Sequence, residues 1–118
     1  MHQDISLIKF IERMSNESDQ ISLSFGDFLP LEEIIGYKTI SYKEEVTSVE
    51  ISDFCRENTK RIIMIIKTNK KNSLNDIEQS IKFIRSQFRQ DIEILLGSRM
   101  DNDGDELIID FVLFKNKN

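Results

Sequence analysis

The chain has 118 residues, and its 16 Lys plus Arg against 21 Asp plus Glu leave a net charge of −5 at pH 7, a balance that works against nucleic-acid phosphates and anionic lipid as partners. With 39% hydrophobic residues, eight phenylalanines and one cysteine, it has material for one packed core and no internal disulfide, so a single domain of the reducing cytoplasm is expected. The longest apolar run, Ile62 to Ile66, is far shorter than the roughly 20 residues of a membrane span, and no export leader is expected at the N-terminus.

Ile5, Leu7, Ile8, Ile11 and Met14 recur at helical spacing and predict an amphipathic helix, followed by a polar linker from Ser15 to Gln20. Ile21, Leu23 and Phe25 alternate with Ser22, Ser24 and Gly26, which predicts a strand ending near Asp27. Pro30 suits a first helical turn, Glu32 and Glu33 complement its positive end, and Gly36 can stop it. One or two turns are therefore expected there. Tyr37 to Tyr42 reads as a short strand, and Val46 to Glu57 as a modest helix presenting Val46, Val49 and Ile51 or Phe54 inward.

The run Arg61 to Lys67 is short and rich in isoleucine, which favours a strand apolar on both faces. Ser73 with Asp76 makes a capping-box-like start for a helix carrying Leu74, Ile77, Ile81, Ile84 and Phe88 on one stripe. Asp91 to Met100 and Glu106 to Phe114 read as two strands joined through Asp101 to Asp105, where Asp103-Gly104 favours a tight hairpin turn. The expected fold is α/β (α+β): a two-layer sandwich with a mixed four-stranded sheet and helices on one face, residues 1–20 forming an N-terminal helix and linker and 21–118 the domain. Ile63, Ile65, Leu95, Ile108, Val112 and Phe114 then point away from the face that Ile62, Met64, Ile66, Leu107, Ile109 and Phe111 present to the helices. That second apolar face needs a cover, for which the N-terminal helix is preferred over another chain.

Catalytic and ligand-binding patterns are sparse. Gly26, Gly36, Gly97 and Gly104 are too scattered to cradle a phosphate. His2 is the only imidazole and sits at a terminus, so a nucleophile has no base, and Cys55 reads as a small half-buried apolar residue. Asp101 to Glu106 lacks the glycine and glutamate positions of a calcium loop, and Lys67, Lys70 and Lys71 read as a solvated edge. No metal and no cofactor are expected. Arg61, Arg85, Arg89 and Arg99 are the candidates for clamping an anion.

The order of segments resembles a known family. Ile21-Ser22-Leu23-Ser24-Phe25-Gly26-Asp27, Gly36-Tyr37, the strand from Arg61, Ser73 to Glu78, Ile92 to Gly97 and Asp105 to Ile109 follow one another as do the segments of the C-terminal domain of the FtsZ/tubulin family. The resemblance covers roughly residues 21–114 and implies a chorismate-mutase-like sandwich. In that family an acidic loop at the start of this domain completes the GTP site of the next subunit. The loop positions here are Ser22, Ser24 and Asp27, of which only Asp27 keeps the family carboxylate, and a serine is a poor base near neutral pH. The family's glycine-rich GTP-binding domain has no counterpart in these residues. The resemblance therefore implies a non-enzymatic interaction domain with a filament-forming or cell-division protein as partner, at most supporting hydrolysis in a neighbouring subunit. The alternative is a small trimeric chorismate-mutase-like enzyme or small-molecule-binding protein, with its ligand held between subunits by the four arginines.

Overall fold

The computed structural model describes residues 5–17, 24–42, 51–69, 73–89, 91–100 and 107–116. Its centre is a four-stranded sheet of β1 (Ile34–Tyr42), β2 (Arg61–Thr68), β3 (Glu93–Met100) and β4 (Leu107–Phe114), in the order β1-β4-β2-β3. The two middle strands are those apolar on both faces, because only an interior strand can be covered on both sides along its length. β4 runs antiparallel to β1 and β2, whereas β2 and β3 are parallel and bracket the helix α3 (Leu74–Ser86). The sheet is mixed, as expected.

The alternation of β2 and β4 divides the core in two. Ile62, Met64, Ile66, Leu107, Ile109, Phe111 and Leu113 pack with Cys55 of the short helix α2 (Asp53–Asn58) and with Ile84 and Phe88 at the end of α3. On the opposite face Ile63, Ile65, Val112 and Phe114 meet Ile11 and Met14 of the N-terminal helix α1 (Ile5–Glu17), together with Phe28. α1 is thus the expected cover, and each isoleucine it shields from water contributes roughly 2–3 kcal/mol. α3 begins at the expected capping box: Ser73 Oγ accepts from the Asp76 N–H at 3.2 Å, and Asp76 Oδ2 accepts from the Ser73 N–H at 2.8 Å.

Several local expectations are corrected. β3 and β4 are not a hairpin, since β2 lies between them; burial of both faces draws β4 to the middle and overrides the Asp103-Gly104 turn signal. The connecting residues Asp101 to Glu106 lie outside the described residues. Phe25–Phe28 form a 3₁₀ turn instead of finishing a strand, while residues 21–23 lie outside the description. Between Pro30 and Gly36 there is only a second 3₁₀ turn, Leu31–Glu33, after which Ile34 and Ile35 already belong to β1 and Gly36 sits beside a register shift. Of the two alternatives offered for the helix before β2, Ile51 packs against the core as expected while Phe54 is 60% exposed and Cys55 is the buried residue of α2; Val46 and Val49 lie outside the described residues. Leu74, at the first position of α3, is 71% exposed and leaves the stripe to its successors. α1 runs three residues past Met14, to Glu17.

Candidate functional site

Two groups of polar side chains lie on the α1-covered face, one where β2 and β3 begin and one about midway along the strands. At the end where β2 and β3 begin, Arg61 and Glu93 are register partners across the parallel pair. Arg61 is buried, with Cζ 4.0 Å from the centroid of the Phe114 ring, which occupies one side of the guanidinium. Its Nε has no hydrogen-bond partner. Burial pushes the Arg61 guanidinium below its ordinary value, opposed by the negative charges of Glu93 and Asp27. A crevice of about 310 Å³ lined by Arg61, Glu93, Ile94 and Leu95 opens here.

Of the loop singled out by the resemblance, Asp27 is near enough for its charge to act on Arg61. Asp27 turns back on its own 3₁₀ turn: its Oδ2 accepts from the Ser24 N–H at 2.7 Å and from Ser24 Oγ at 3.3 Å. A carboxylate placed this way satisfies donors that the start of the turn leaves open. Ser22 lies outside the described residues.

Midway along the strands Asp110 of β4, wholly buried, gathers residues from three further elements. Arg13 of α1 places Nη2 2.9 Å from Oδ1, the Thr39 hydroxyl of β1 donates to the same oxygen, and Lys67 Nζ of β2 stands 3.3 Å from Oδ2. Arg13 also donates to Thr39 Oγ1 at 3.2 Å and lies 4.8 Å from the centroid of the Phe10 ring. Oδ2 has this ion pair but no aligned hydrogen bond. The cluster fastens α1 to the middle of the sheet, because a buried carboxylate is tolerated only with charged or donor partners around it. Sequence reasoning missed Asp110; the available signal was a lone acid in the otherwise apolar run Leu107 to Phe114.

The four candidate arginines do not converge within one chain. Arg61 and Arg99 are on the same face at opposite ends, Arg99 in register with Lys67, six residues and roughly 20 Å along the strands. Arg85 is exposed on α3, across the sheet, and Arg89 pairs with Glu57 at 2.7 Å with both side chains in solvent. Cys55 is buried, its Sγ 3.5 Å from the Ile35 carbonyl. Lys67 belongs to the Asp110 cluster instead of a solvated edge; His2, Lys70 and Lys71 lie outside the described residues. Among the described residues no group of His, Cys, Asp and Glu is arranged to hold a metal, and no helix is long and apolar enough to cross a membrane.

No family model matches the chain, and no curated protein matches it. Solved structures do. A dimeric, empty FtsZ from M. jannaschii is similar over 50% of this chain and 18% of its own, with 10% identity and a TM-score of 0.42. The hydrogenase maturation protein HypE of E. coli is similar over 93% and 42%, with 9% identity and a TM-score of 0.38. CetZ from Methanosaeta thermophila is similar over 95% of this chain and 36% of its own, with 9% identity and a TM-score of 0.51. The mixed sheet with its helices is thus the tubulin/FtsZ-like fold found in part of CetZ.

Proposed function

We propose that this chain is a protein-interaction domain of the FtsZ C-terminal type, without enzymatic activity of its own, which docks on a filament-forming FtsZ-like subunit in the cytoplasm. The observation that carries the reading is the fit of 95% of the chain onto 36% of CetZ, the extent of one domain of a larger protein. The scattered glycines support it, since GTP binding in this family needs a phosphate cradle that these residues do not supply. Asp27 supports it too: a carboxylate engaged with Ser24 is committed to its own turn, which argues against a role as a base for a neighbour's water.

Sedimentation with polymerised FtsZ tests the proposal. The purified chain is expected to pellet with the polymer in a saturable way and to stay in the supernatant without it. A chain left in the supernatant at every polymer concentration overturns the docking role. Calorimetry against GTP is expected to show no heat of binding, and a saturable isotherm would refute the non-enzymatic half of the reading.

A further inference from the structure

We draw no further inference here: the strongest candidate, the outer edge of β3 with its exposed Glu93 and Leu95, which pairs with no described strand, carries nothing, because Gly97 in the middle of that strand is buried and nothing in the structure shows what covers it.

Discussion

Replacing Asp110 by asparagine removes one charge and almost no volume, so its effect isolates the electrostatics of the cluster beneath α1. Taking one partner from a fully buried ion pair costs roughly 3–5 kcal/mol, because the remaining charge stays desolvated. Here the carboxylate is 0% exposed, but the Arg13 side chain is 45% exposed and that of Lys67 19%, so water reclaims much of Arg13 and less of Lys67. Discounting the Arg13 share for that exposure leaves about 2–3 kcal/mol. For a domain of this size that corresponds to a melting temperature about 10 °C lower. Urea unfolding followed by circular dichroism should show the midpoint falling at unchanged slope. Arg13→Met should then cost less in the Asp110→Asn background than in the parent, since the interaction it removes is already gone. An Asp110→Asn variant within about 0.5 kcal/mol of the parent would show that the cluster does not fasten the helix.

Other substitutions separate the remaining claims. Ser73→Ala should destabilise by about 1 kcal/mol in thermal melts through loss of the α3 cap, and Ser73→Asp should restore most of it. Leu74→Ser, at an exposed site, should stay within about 0.5 kcal/mol of the parent, whereas Ile84→Ala should cost about 3 kcal/mol; equal effects would misplace the buried face of α3. Arg61→Met removes a desolvated charge while keeping apolar bulk on Phe114, so the variant should be within about 1 kcal/mol of the parent or more stable, and a larger loss would make Arg61 a structural residue. Asp27→Asn retains an acceptor for Ser24 and should melt like the parent, while Asp27→Ala should lose up to about 1 kcal/mol; any FtsZ GTPase stimulation that disappears in Asp27→Asn alone would contradict the capping role.

The double-sided burial of β2 was legible because five consecutive apolar residues exceed what a half-exposed strand presents, and the capping box of α3 was legible because Ser73 and Asp76 act locally. The neighbours of β4 were not, since a turn dipeptide reports local backbone preference and says nothing about which strand the chain returns beside. The stretch after Pro30 misled for a related reason: its helix signals are met by a single turn, Leu31–Glu33, and β-branched Ile34 and Ile35 take the backbone into β1. Asp27, matched through the resemblance, was placed near Arg61 by a fold that sequence order could not give in three dimensions. Arg61 was visible as one candidate arginine among four; that its guanidinium lies over the Phe114 ring with Nε buried and unmet depends on a strand distant in sequence.

The strand order also constrains how the chain assembles while it is being made. β1 pairs with β4 and with no other described strand, yet β4 is the last of the four to be synthesised. β2, α3 and β3 form a contiguous unit that can associate as soon as it leaves the ribosome, with its parallel ladder already complete. β1, although made first, must wait with its backbone groups open until β4 arrives to join it to that unit. For that interval the nascent chain carries an unpaired strand beside an unfilled sheet, the state in which it is most open to chaperones and to mispairing with other chains.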